Sequence, residues 1–298
     1  MAKIALLLLN FGTPKAPTRE GVRTYLKEVL SDLTFGFLPK WLSRLLIRFV
    51  IIPCRLRHSV QRYQEVWTER GSMLMVNSKR LSEALKERLF HSRVALAMRY
   101  GSPTVECACK ELFLSPSDRL IVLPLFPINI FSLNVSCSSL DCSYISDYYL
   151  QPWFINPTAQ LLCLANPHDY DHLVFSFHAL PLNYTGSHIY TRKCYEMADA
   201  IALKAKVKHY SVCFQSRMGF GRWTEPEIAT HLLDLLQQKK KHVLLMMPGF
   251  IVDCLETVGD FKKYRSDFIS AGGAELRLVG ALNDFQPWVD QLAQYIPK

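Results

Sequence analysis

The chain has 298 residues, enough for two domains of ordinary size or one large one, and its 49% hydrophobic content supports buried cores and excludes intrinsic disorder. Lys and Arg number 35 against 26 Asp and Glu, a formal charge of +9 that favours anionic partners: polycarboxylate ligands, acidic membrane surfaces or nucleic acid. Nucleic acid is set aside because no recognition motif and no aromatic-basic interleaving accompanies the charge.

The opening MAKIALLLLNFGTPKAP has the Lys, short apolar run and small residues of a secretory signal. Asn10 and the turn Gly12-Thr13-Pro14 instead fit a buried strand ending at a functional loop, so the chain is expected to be intracellular. Nine cysteines without regular spacing suit reduced thiols there better than a disulfide framework. The pairs Cys107/Cys109 and Cys137/Cys142 lack zinc-site spacing with a matching second pair, and are taken as buried or incidental thiols.

The next segment, FGFLPKWLSRLLIRFVIIPCRLRH at 35 to 58, reads as a helix. Lys40, Arg44 and Arg48 make one basic stripe, and Trp41, Leu42, Leu45, Leu46, Phe49 and Val50 a broad apolar face. Its apolar runs are too short to span a bilayer. Two uses stay open: a helix packed on its own domain, or a lip that rests on an anionic membrane surface or admits a greasy ligand.

Further strands are predicted at VALAMRY (94 to 100), RLIVLPLFP (119 to 127), HLVFSFHALP (172 to 181), HYSVCFQSR (209 to 217), HVLLMMPGF (242 to 250) and ELRLVGALN (275 to 283). Near-continuous hydrophobicity over such lengths marks strands covered on both faces, as in parallel sheets flanked by helices. The fold class is therefore α/β. The polar, proline-dotted stretch from Gln151 to Tyr170 divides it into domains at 1–150 and 151–298, with three strands before and four after and a cleft between the halves.

In open parallel sheets, ligands bind beyond the carboxyl ends of the strands. Asn10 and Thr13, Arg99 and Tyr100, His178, Gln215, Ser216 and Arg217, and Glu256 all follow strand ends. A histidine in the last turn of an apolar strand is often a hydrogen-bonded core residue, but a facing carboxylate would let it trade protons or hold a divalent ion. Glu256, in MMPGFIVDCLETVGDF, supplies that carboxylate, and Asp260 follows four residues later on the same helix face. A nucleotide-binding site is not expected, since no G-x-G-x-x-G follows the first strand.

Six blocks in this order, NFGTPKAPTREGVRTYLKEVLSD, RYQEVWTERGSMLMVNSKRLSEAL, VALAMRYGSPTV, FSFHALP, CFQSRMGFGRW and PGFIVDCLETVGDF, resemble the ferrochelatases, which insert ferrous iron into protoporphyrin. The resemblance implies two similar Rossmann-like domains around a porphyrin cleft, with the last helix returning toward the first domain. It makes His178 and Glu256 the catalytic and metal-binding pair and Asp260 a proton or metal relay. Phe11, Arg99 and Tyr100 fall in the porphyrin cleft, and Ile130 and Arg217 are further candidates for porphyrin contact. The substrates it implies are protoporphyrin IX and ferrous iron, with no permanently bound cofactor and, as the chain ends at IPK, no iron-sulfur cluster. The expected location is the cytoplasm, peripheral to the inner face of the membrane through 35 to 58.

The sequence departs from the usual pattern in three places. PLFPINIFSLNVSC replaces a polar, hydroxyl-rich loop, GSML a usual GSPL, and Ala179 a common glycine. These changes keep two alternatives in view: a catalytically impaired porphyrin- or haem-binding homologue, and a chelatase for another metal or tetrapyrrole, such as cobalt or coproporphyrin.

Overall fold

The computed structural model describes residues 4–31, 40–115, 118–129, 141–217 and 221–297. Ile130, and the rest of the replaced loop through 134, lie outside them, as do residues 35 to 39 of the expected lip. In chain order the first half runs β1 (Ile4–Gly12), α1 (Arg19–Ser31), α2 (Lys40–Leu46), a π-helical turn (Ile47–Ile51) and α3 (Ile52–Glu65). A hairpin of β2 (Trp67–Thr68) and β3 (Gly71–Ser72) follows, then α4 (Met73–Arg88), β4 (Arg93–Tyr100), α5 (Val105–Glu111), β5 (Arg119–Pro124) and β6 (Asp141–Tyr144). The second half runs α6 (Pro152–Leu164), β7 (His172–His178), α7 (Ser187–Lys204), β8 (Tyr210–Gln215), α8 (Ile228–Gln237) and β9 (His242–Met246). It ends with a second π-helical turn (Leu255–Gly259), α9 (Asp260–Ser270), β10 (Glu275–Val279) and α10 (Gln286–Tyr295).

Two parallel four-stranded sheets result, ordered β4-β1-β5-β6 and β10-β9-β7-β8. β1 shows why the apolar runs are continuous. Leu6 and Leu8 face the large core that also holds Phe175 and Phe177 of the second sheet, while Ala5, Leu7 and Leu9 face a separate cluster beneath α5. Period-two alternation puts apolar side chains on both sides, and both sides are covered. α6 and α10 pack together in the second half, where Trp153 stacks on Trp288 at 5.8 Å and on Tyr295 at 4.6 Å, and α10 also reaches α4 of the first half. The Arg88 guanidinium of α4 meets Asp290 of α10 at 2.8 Å.

The first sheet has a fourth strand, β6, that the sequence reading passed over. Among the described residues β6 pairs with β5 alone, at the sheet edge, and its four residues, DCSY, need no continuous hydrophobicity there. The basic and apolar helix is also not one regular helix. The Ile52 N–H reaches the Ile47 carbonyl five residues back, which widens one turn and offsets Arg44 from the helix that follows. Finally, Cys109 is disulfide-bonded, which corrects the expectation of a reduced thiol at that position. Cys107 is a free thiol, and residues two apart on α5 point to different sides, so Cys107 and Cys109 do not act as a pair.

Candidate active site

The loop after β1 is built around Gly12. Its φ is +122°, and a Cβ there would lie 2.0 Å from the Tyr100 carbonyl oxygen, so only glycine lets β1 and β4 end side by side. That closeness brings Phe11 against Tyr100, edge to face at 5.0 Å, with the Arg99 guanidinium 5.4 Å from the same tyrosine ring. Arg99 Nε also donates to the Tyr100 hydroxyl at 3.0 Å. The Asn10 amide is buried and donates to Ser78 Oγ at 2.9 Å, which fixes the strand end against α4.

In the second sheet, His178 ends β7 in register with Gln215 at the end of β8. His178 Nδ1 lies 2.7 Å from the Ala179 carbonyl. A carbonyl can only accept, so Nδ1 carries the hydrogen, and in the neutral ring Nε2 presents its lone pair. Gln215 is fully buried and spoken for at both ends of its amide. Ser176 Oγ donates to its Oε1 at 2.6 Å, and its Nε2 donates to the Glu256 carbonyl at 2.6 Å. The strand end bearing His178 is thereby tied to the turn bearing Glu256.

That turn is held from several sides. The Cys254 N–H donates to Thr257 Oγ1 at 2.9 Å, and the Thr257 hydroxyl reaches Asp253 Oδ1 at 3.1 Å. Asp253 also accepts from the Ala281 N–H and from Asn283 Nδ2, so this first acid of the stretch is structural. The Asp260 N–H closes the wide turn onto the Leu255 carbonyl. Its carboxylate pairs with Arg62 of α3 through one oxygen and accepts from Ser216 Oγ at 2.8 Å through the other.

The charge of Glu256 is felt by groups from both halves. Burial first, and then neighbours that include Glu256, push the hydroxyls of Tyr25 and Tyr63 and the thiol of Cys254 up from their ordinary values. Burial also raises the Asp260 carboxyl, which Arg62 opposes and Glu256 reinforces. Leu255 packs with Tyr25, Tyr63 and Tyr100 in one apolar cluster, with Phe11 at its edge. The end of the first sheet, at Tyr100, and Gln215 at the end of β8 therefore both meet the second π-helical turn.

Of the residues singled out in the sequence, Phe11, Tyr100 and Arg99 lie beside the turn that carries Glu256 and Asp260, and His178 is linked to that turn through its register partner Gln215. Arg217 is exposed and its guanidinium donates to the Thr224 carbonyl at 3.2 Å. Sequence reasoning assigned no role to Arg62, Tyr63 or Tyr25. All three lie within blocks that carried the family resemblance, RYQEVW and VRTYLKE, but nothing local marks a helical tyrosine or arginine as facing a turn nearly two hundred residues away.

Two solved structures share the fold: the sirohydrochlorin chelatase SirB from Bacillus subtilis subspecies spizizenii in complex with cobalt (TM-score 0.53, 8% identity) and SirB from Bacillus subtilis with Fe3+ (TM-score 0.54, 9% identity). Each alignment covers 98% of this chain and 93% of the other. The chain thus shares the two-sheet α/β fold of these chelatases. The ferrochelatase family profile matches residues 3–298. Ferrochelatases of Stutzerimonas stutzeri (35% identity, 99% of this chain, 97% of that protein), Pseudomonas aeruginosa strain LESB58 (34%, 99% and 97%) and Coxiella burnetii strain Dugway 5J108-111 (32%, 99% and 94%) are similar throughout. The chain belongs to the ferrochelatase family, and it is a metal chelatase of the lyase class whose substrates are a porphyrin and iron.

Proposed function

We propose that His178 and Glu256 carry out insertion of ferrous iron into protoporphyrin IX in the cleft between the two sheets, forming protohaem. Two pyrrole N–H bonds break, four iron-nitrogen bonds form, and two protons leave; the oxidation state of iron does not change, so no resident cofactor and no iron-sulfur cluster is required. His178 Nε2, left with its lone pair by the Nδ1 hydrogen bond, accepts a proton or holds the ion on one face of the ring. Glu256 balances the charge and passes protons toward Asp260. Two donors, rather than a closed four-ligand cage, suit an ion that must leave in the product. Phe11 and Tyr100 supply an aromatic surface for the macrocycle, and Arg99 and Arg217 the charge for its propionates.

The observation that carries this reading is the buried Gln215, whose amide joins the His178 strand end to Glu256. Anaerobic turnover with ferrous iron, cobalt and zinc on protoporphyrin IX and coproporphyrin III tests it. Fastest insertion of ferrous iron into protoporphyrin is expected. Porphyrin binding without insertion of any metal would leave a binding homologue, and a preference for cobalt or coproporphyrin another chelatase.

No helix among the described residues is long and apolar enough to cross a membrane. Membrane contact, if made by the 35 to 58 segment of a cytoplasmic protein, is peripheral. Supporting it, Trp41 (63% exposed), Phe49 (65%) and Val50 (49%) lie outward with Arg48 beside Phe49.

A further inference from the structure

Arg62 sits on α3, in the first half, and its guanidinium reaches Asp260, the first residue of α9 in the second. The side chains of the pair are 29% and 14% exposed, so the contact is mostly shielded from water. One turn on, Lys262 Nζ donates to the Glu65 carbonyl at 3.0 Å, a second tie between the same two helices. Asp260 is not a passive end to this contact. Its backbone N–H closes the π-helical turn whose second residue is Glu256, so whatever fixes Asp260 fixes the turn.

The charges around Asp260 are few. Arg62 faces it from α3, Ser216 from the end of β8, Glu256 from its own turn and Tyr264 from the next turn of α9. Arg55, two turns earlier on α3, faces Arg62 as a like charge. Among these groups Arg62 is the cation beside Asp260. Burial and the nearby Glu256 both disfavour charge on the Asp260 carboxyl, and Arg62 is the neighbour that opposes them.

We propose that Arg62 is a positioning residue for metallation: its ion pair with Asp260 holds the π-helical turn in place, and so holds Glu256 at the strand end that carries His178. The inference rests on the reading of Glu256 as the reacting acid. Arg62 works through Asp260, the carboxylate with which its guanidinium is paired. Asp260 in turn is a relay whose proton affinity Arg62 sets: burial raises it, Arg62 opposes the rise, and loss of Arg62 lets it climb further.

The test compares Arg62→Met, Arg62→Lys, Asp260→Asn, the Met/Asn double variant and Glu256→Gln, each checked by thermal melting, with kcat and porphyrin KM measured across pH. R62M is expected to lower kcat about 10- to 100-fold, as a displaced reacting group does, with KM within about twofold. Its acid limb of kcat moves to higher pH, and R62K, which keeps the charge but not the forked geometry, recovers part of both. In the Asp260→Asn background, with no carboxyl left to titrate, R62M no longer moves the limb. A raised KM at unchanged kcat would make Arg62 a propionate ligand and overturn the proposal, as would a wild-type limb in R62M or an equal shift with Asn at 260. Should R62M fail to fold, a wild-type kcat and pH limb in R62K would overturn it, and a reduced kcat with a shifted limb would support it. Retained turnover in E256Q would instead sink the assignment of Glu256, whatever Arg62 does.

Discussion

The described residues hold two π-helical turns, and the two differ in almost everything but backbone. Ile47–Ile51 interrupts a helical run with no side-chain cap and leaves Phe49 and Val50 outward, with only Ile47 buried. Leu255–Gly259 is entered through the Cys254 and Thr257 hydrogen bonds, buries Leu255 and Thr257, and is tethered by Gln215 and by the Arg62 pair at Asp260. A widened turn is therefore not in itself a site. Side chains from other elements over-determine the second turn, so it can aim a carboxylate; the first lacks such ties and presents an apolar surface instead.

The largest effects are expected where the second turn meets the chemistry. Glu256→Gln or His178→Ala should lower kcat by about 10²- to 10⁴-fold, the usual range for a lost general acid or base, with the porphyrin dissociation constant unchanged. Near-wild-type turnover in a metal-insertion assay would end the claim that this turn is catalytic. Gln215→Leu removes both hydrogen bonds of the buried amide and leaves Ser176 and the Glu256 carbonyl unpaired. It should cost about 3 kcal/mol in denaturant unfolding and lower turnover as well. If only stability fell, the tether would be structural and the contrast between the turns weaker.

Smaller effects refine the picture. Thr257→Val deletes the hydroxyl that caps the turn and should cost about 1 kcal/mol, seen as faster amide exchange at residues 254 to 259. The opposite end of β7 offers a control far from the cleft. His172, hydrogen-bonded to Ser211, is pushed down to about 4 by burial first and by His231 second. Because folding favours its neutral form, its contribution is fully present above the ordinary value near 6.5 and is lost as pH falls toward about 4. His172→Gln should flatten that part of the acid unfolding curve by on the order of 1 kcal/mol, the full shift being discounted for solvent screening. At the first turn, Trp41→Ser with Phe49→Ser should change stability by under about 0.5 kcal/mol while reducing flotation with anionic vesicles. Unchanged flotation would remove the case for a membrane-resting lip.

Much of the candidate site was legible because the residues that compose it follow apolar runs. His178, Tyr100 and Gln215 each end an apolar run, and in a parallel sheet a strand's last residue faces the ligand end whatever its neighbours are. Glu256 and Asp260 stood out as acids following Pro-Gly after a buried strand. The acid stretch nevertheless hid a division of labour: Asp253 is consumed by Asn283 and the Ala281 N–H, and Asp260 by Arg62 and Ser216. The edge strand β6 was missed because a strand paired on one side has no need to be apolar on both faces.

What the amino-acid order determined unaided was therefore the set of core strands and the residues that follow them, since hydrophobic runs and the loops they feed are properties of neighbouring residues. Only the tertiary structure decided the strand orders, the two widened turns, and which charge answers which: Arg62 and Asp260 are 198 positions apart, and Gln215 and Glu256 are 41. Such pairings come from packing two halves against each other, where burial makes an unmatched charge or amide costly enough to select its partner, and no spacing along the chain records that cost.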